Sequence, residues 1–182
     1  MQKTPSLNPH CKKELQVTTE MMELAARVGK KLQEKGLLLA TAESCTGGGV
    51  AQAITEIAGS TAWFDCGFIT YSNASKTEML DVSAALIAQF GTVSEEVAGA
   101  MAEGALANSN AHVTLSTTGI AGPAGAVPGK PVGTVCFGWS LEDSSQNHHK
   151  TSTERLVFGG DRQAVREQTV KHALEGLLRI IE

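Results

Sequence analysis

The sequence predicts an α/β fold: a single-domain layered structure with a mixed central β-sheet flanked by helices. Three observations carry the prediction. Over the first two thirds of the chain, windows with helical apolar spacing alternate with short continuous apolar runs. Two further strand-like runs then flank a polar segment, as a hairpin does. No internal repeat, low-complexity tract or linker divides the 182 residues, a length that suits one domain with a sizeable core.

The elements follow in order. Residues 1–18 are polar and carry two prolines, and read as a flexible N-terminal extension; the domain spans 19–182. From Thr19 to Glu34, Met21, Ala25, Val28 and Leu32 form one helical stripe, which Gly36 ends. Leu37 to Ala40 reads as a buried strand and Gly47 to Ile57 as a helix. Trp63 to Tyr71 is rich in β-formers, and "SNASK" reads as a turn into a short helix at "TEML". A helix is expected over Val82–Gln89, and another from an N-cap at Ser94, with Glu95 and Glu96 in its first turn, to Asn108. Val113–Thr118, Val132–Leu141 and Thr153–Phe158 read as strands. Asp161 caps a last helix whose apolar face is Val165, Thr169, Ala173, Leu177 and Ile180.

Composition excludes several functions. With 42% hydrophobic and 19% charged residues the chain reads as a soluble globular protein. A net charge of -4 gives no cationic face for nucleic acid, and 4% aromatics gives no base-stacking platform. The four cysteines, Cys11, Cys45, Cys66 and Cys136, form no zinc spacing. Without a secretion-type leader they suggest reduced thiols and a cytoplasmic location. No apolar run reaches membrane-spanning length, so no membrane partner is expected.

The chemistry concentrates at strand-to-helix junctions, where α/β sheets bind ligands. "TAESCTGGG", Thr41–Gly49, is neither a Walker A loop nor a dinucleotide fingerprint. Its Thr46, Gly47 and Gly48 suit a phosphate or oxyanion at a helix N-terminus; equally, Ser44 or Thr46 serves only as a cap. A nucleophile here needs a base, and none of the five histidines (10, 112, 148, 149 and 172) has a claim on it. "TYSNASK" offers the single tyrosine, Tyr71, and Lys76, a base once desolvated. The plainer reading is a surface lysine and a half-buried tyrosine. A third cluster, Gly119–Gly125, follows a strand and offers backbone donors to a phosphate, or is only a loop. Lys130 and Arg162 are candidate anion partners; a cation in a helix's first turn opposes the dipole, which hints at an anionic partner for Arg162.

Four segments in order, "TAESCTGG", "FITYSNASK", "GIAGPAGAVPGKPVGTV" and "GDR", closely resemble the nicotinamide-nucleotide amidase (PncC) family, similar to the C-terminal domain of CinA proteins. The resemblance runs from Thr19 to the C-terminus. It implies a CinA C-terminal-like fold and hydrolysis of the carboxamide of nicotinamide mononucleotide to nicotinate mononucleotide and ammonia, within pyridine nucleotide recycling. It also implies a homo-oligomer and no metal or cofactor. The family's serine, tyrosine and lysine fall on Ser44, Tyr71 and Lys76. Substrate-binding positions are expected at Thr46, Gly47, Gly48, Asn73, Gly119, Ala121, Gly122 and Arg162. Gly49 departs from the larger apolar residue expected there. Ser44 is the expected nucleophile, Lys76 the base, directly or through Tyr71, and the N–H groups near Cys45 to Gly47 the oxyanion donors. Cys45, a thiol at a helix N-terminus, is the rival nucleophile. A non-catalytic nucleotide-binding module is the alternative to an enzyme. The alanine-rich "AGAMAEGALA" reads either as an oligomer surface or as a buried core helix.

Overall fold

The computed structural model describes residues 9–143 and 148–182, with side chains from residue 19 onward. Helix α1, Pro9–Lys35, starts well before Thr19 and covers half of the predicted extension; residues 1–8 lie outside the described residues. It ends at Gly36 (φ 64), a conformation that favours glycine. The expected stripe is its inner face, with Ala25, Val28 and Leu32 fully buried.

Then come β1 (Leu39–Glu43), α2 (Gly49–Thr55), a 3-10 turn (Ser60–Ala62), β2 (Phe64–Ile69), α3 (Asn73–Leu80), α4 (Ala84–Phe90), α5 (Glu95–Ala107), β3 (Val113–Gly119), β4 (Thr134–Asp143), β5 (His148–Val157) and α6 (Arg162–Ile181). Two boundaries differ in a way that matters. β1 lies further along than the apolar "GLLLA" suggests, because a central strand buries Thr41 and Glu43 as fully as Leu39. And "SNASK" is no turn: Ser72 caps α3, its hydroxyl accepting from Ser75 N–H while Ser75 Oγ accepts from Ser72 N–H. Lys76 therefore stands in a helical first turn.

The five strands form one mixed sheet in the order β2-β1-β3-β4-β5. β1 runs parallel to β2 and β3, and β3, β4 and β5 are antiparallel in turn. The β4–β5 hairpin is longer than predicted: pairing reaches Asp143 and His148, and residues 144–147 of the expected polar loop lie outside the described residues. Helices α1, α2 and α6 pack together on one face, and α5 covers the other with α3 and α4 against it.

Trp63 and Trp139 fill the first layer, each against a helical glycine: a Cβ on Gly29 would lie 2.5 Å from the Trp63 ring, and one on Gly176 2.1 Å from that of Trp139. On the other face α5 lies close to the sheet. Thr114 and Ser116 of β3 donate to its Ala102 and Ala98 carbonyls at 2.7 and 2.6 Å. Val97, Ala98, Met101, Ala102 and Ala105 are buried, so the alanine-rich stretch is a core helix rather than an open surface. Parallel pairing brings the C-terminal ends of β1, β2 and β3 to one edge, and with them Ser44, Thr70 and the loop after Gly119.

Candidate active site

Ser44 follows β1 directly. Its N–H donates to Thr117 O of β3 at 2.9 Å, which extends the strand ladder by one residue. From α3, Lys76 reaches the same point. Its Nζ donates to Thr70 O at 2.7 Å and to Ser44 Oγ at 3.0 Å. Lys76 has no exposed surface, and Ser44 is 7% exposed. Burial pulls the amine down to about 8, against a slight opposing pull from Cys45. A hydroxyl and a carbonyl surround the amine where a carboxylate would hold its charge. A lysine so placed gives up its proton as pH rises through about 8, and its lone pair then faces a serine hydroxyl.

Cys45 stands beside Ser44 but is 6% exposed, and burial pushes its thiol up to about 12. A thiol of that kind is inert.

Tyr71 lies apart. It is 64% exposed, and its Oη accepts from Arg162 Nη2 at 3.3 Å; among the described residues it makes no hydrogen bond to Ser44 or Lys76. Arg162 also donates through Nη1 to Gly122 O at 2.9 Å, so it ties the Tyr71 end of β2 to the glycine loop. Asn73 Oδ1 accepts from Thr92 Oγ1 at 2.8 Å. Ala121 and Gly122 are buried, and a Cβ on Gly122 would lie 2.6 Å from Val132 Cγ1. Lys130, a candidate anion partner, donates instead to Phe90 O at 2.8 Å.

The N-terminus of α2 differs from the expected anion cradle. Glu43, fully buried at the end of β1, folds its carboxylate onto it. Oε2 accepts from the N–H groups of Gly48 and Val50 at 3.0 Å each, and Oε1 from that of Ala51 at 2.8 Å. Gly47 N–H turns back to Ser44 O at 3.1 Å. Of the expected oxyanion donors, Cys45 and Thr46 keep N–H groups that bond no other described residue. Thr46 is held by a 2.8 Å bond between its Oγ1 and Thr117 Oγ1 and by Arg166, whose Nη2 donates to Thr46 O at 2.7 Å.

Sequence reasoning missed Glu43 and Arg166. The first had a usable signal, an acidic residue just before a helix N-terminus. The second had only its place one turn after Arg162. A cleft of about 880 Å³ opens beside Thr46, lined by Gly49, Gln52, Arg162 and Arg166 among others, but not by Ser44 or Lys76. At Gly49, a Cβ would lie 3.1 Å from Val170 Cγ2, away from the Lys76–Ser44 pair.

A serine at a strand-to-helix junction, a buried lysine on its hydroxyl and two N–H groups beside it that bond no other described residue form an arrangement suited to nucleophilic attack on a carbonyl. The family model described as CinA C-terminal domain matches residues 21–181, and the chain belongs to that family. It is 50% identical over 157 residues to the nicotinamide-nucleotide amidohydrolase PncC of Pseudomonas putida, covering 86% of this chain and 94% of that protein. The PncC of Escherichia coli is 47% identical over 159 residues, with 87% and 93% covered. Among solved structures, the competence/damage inducible protein CihA of Agrobacterium tumefaciens superposes with a TM-score of 0.84 at 38% identity, covering both chains fully. A CinA superfamily protein of Klebsiella pneumoniae gives 0.82 at 37% identity over 88% of this chain and 97% of that one.

Proposed function

We propose that the chain hydrolyses the carboxamide of nicotinamide mononucleotide to nicotinate mononucleotide and ammonia, with Ser44 as nucleophile and Lys76 as base. The observation that carries the mechanism is the 3.0 Å contact between Ser44 Oγ and the amine of a fully buried lysine. The substrate is inferred from the PncC relatives, which match nearly end to end.

Neutral Lys76 accepts the Ser44 proton as Oγ bonds to the amide carbon. The N–H groups of Cys45 and Thr46 face the oxygen that gains charge. The Lys76 ammonium returns the proton to the amide nitrogen, ammonia leaves, and an ester to Ser44 remains. Water then gives Lys76 a proton and attacks the ester, and the proton returns to Oγ. With its Oη on Arg162, Tyr71 stands outside this path, so Lys76 acts directly. Tyr71, Asn73, Arg162 and the Gly119–Gly122 loop border the substrate.

The test is ammonia release from nicotinamide mononucleotide by purified protein, with and without EDTA, for the wild type, Ser44→Ala and Cys45→Ala. We expect turnover that EDTA leaves intact, lost in Ser44→Ala and kept in Cys45→Ala. No wild-type turnover would replace the enzyme with the non-catalytic nucleotide-binding module. Turnover in Ser44→Ala would move the nucleophile elsewhere. The same reading expects a cytoplasmic homo-oligomer. Light scattering of the purified chain tests the assembly, and among the described residues no helix is long and apolar enough to cross a membrane.

A further inference from the structure

Buried carboxylates need partners, and Glu43 finds all of its close ones on backbone N–H groups of one short turn. The residue has no exposed surface. Gly48, Val50 and Ala51 donate to it at 2.8–3.0 Å, and Thr41 Oγ1 stands at 3.5 Å. Its own carbonyl accepts from Thr70 N–H at 2.9 Å, and the carbonyl of that same Thr70 receives Lys76. One residue thus spans both sides of the Ser44–Lys76 pair. Its backbone fixes the end of β2, and its side chain fixes the turn that follows Ser44.

We infer that Glu43 is a positioning residue for Ser44, a fixed internal anion that shapes the turn from Ser44 to Gly49. The inference rests on the proposed role of Ser44. The turn has to do two things that a free chain would not do together. It keeps Ser44 Oγ at 3.0 Å from Lys76, and it leaves the N–H groups of Cys45 and Thr46 without a bond to any other described residue while Gly47, Gly48 and Gly49 spend theirs within the turn or on Glu43. Charge-assisted bonds to backbone N–H groups are the strong kind, and three on one carboxylate leave little freedom for the loop. The same carboxylate occupies the α2 N-terminus, which is therefore closed to the phosphate of a substrate. The phosphate is left to groups further out, on the Arg162 side.

Glu43 acts on Ser44 geometry and not on the Lys76 proton. Burial accounts for the depressed Lys76 amine, and Cys45 pulls the other way. This separates a positioning role from an electrostatic one and from plain stability.

The test uses a fluorophosphonate, which reacts at an activated serine: the Ser44 Oγ–P bond forms, fluoride leaves, and the Oγ proton passes to Lys76. Rates are followed against pH for the wild type, Glu43→Gln and Glu43→Asp, with folding checked by circular dichroism and the labelled residue by mass spectrometry. In Glu43→Gln an NH2 group replaces one acceptor and meets N–H donors. We expect the plateau rate to fall roughly a hundredfold, with the pH midpoint unmoved, and kcat on nicotinamide mononucleotide to fall in step while KM changes little. Glu43→Asp keeps the charge at shorter reach and recovers part of the rate. A wild-type plateau in either folded variant, a displaced midpoint, or loss of fold in both variants overturns the inference. Failure of the function reading looks different. Wild-type protein that is labelled at Ser44 but releases no ammonia refutes the substrate and leaves Glu43 to be judged on the plateau. Wild-type protein unlabelled at Ser44 refutes the nucleophile, and Glu43's role with it.

Discussion

Burying the Lys76 ammonium costs folding free energy, on the order of a few kcal/mol near neutral pH, because its partners are a hydroxyl and a carbonyl. The sign follows from the lowered amine. Between about 8 and the ordinary 10.5 the unfolded chain holds a proton that the folded chain has lost, so stability from this group rises with pH across that window and is flat below it. Lys76→Met should therefore be more stable than the wild type near neutral pH, with the difference shrinking as pH rises towards 10.5. Urea unfolding at several pH values checks it, and a constant difference refutes it. In the same variant hydrolysis should fall at least ~1,000-fold. In the wild type kcat/KM should climb with pH through about 8, as the free enzyme's base loses its proton. At Cys45, pushed up to about 12, iodoacetamide should fail to label the folded protein near neutral pH. Rapid labelling there would return the thiol to contention.

Helix α5 is the element on which the site layer depends, and its contacts are close enough to predict. A Cβ on Gly104 would lie 2.0 Å from Leu80 O at the end of α3. Gly104→Ala should cost about 1–3 kcal/mol and, by displacing α3, should lower turnover as well as the urea midpoint. Ser94 caps α5 through Val97 N–H at 3.2 Å, and Ser94→Ala should cost about 1 kcal/mol with turnover kept. Wild-type stability in Gly104→Ala would show that α3 and α5 can part without loss. These elements were readable to different depths. Strand β4 was legible because a strand buried on both faces leaves a near-continuous apolar run, and β3 because Val and Thr favour strands. Ser94 and Asp161 were legible as caps because their chemistry is local. Lys76 was half legible: its desolvation could be guessed, but the Ser72–Ser75 capping box that makes "SNASK" helical was overlooked. Glu43 left a local signal, an acidic residue just before a helix N-terminus, but its bonds to Gly48, Val50 and Ala51 were not legible, because those residues become its neighbours only when α2 folds back on β1. Nor was the separation of Tyr71 from Lys76, since whether a side chain turns in or out at a strand end depends on what α6 presents there.

At the scale of the whole molecule, the sheet divides the labour. The α3–α4–α5 layer delivers the base, and the α1–α2–α6 layer holds the turn after Ser44 through Arg166. That division gives the two tryptophans an optical consequence. Trp63 and Trp139 are the only two in the chain, both are nearly buried, and both belong to the α1–α2–α6 layer. Intrinsic fluorescence is then a reporter of one side of the protein. Its emission should shift to the red when α1 and α6 leave the sheet, and should stay still when a ligand engages Ser44 from the edge. The same sample can thus report melting through the tryptophans while released ammonia, assayed separately, reports turnover.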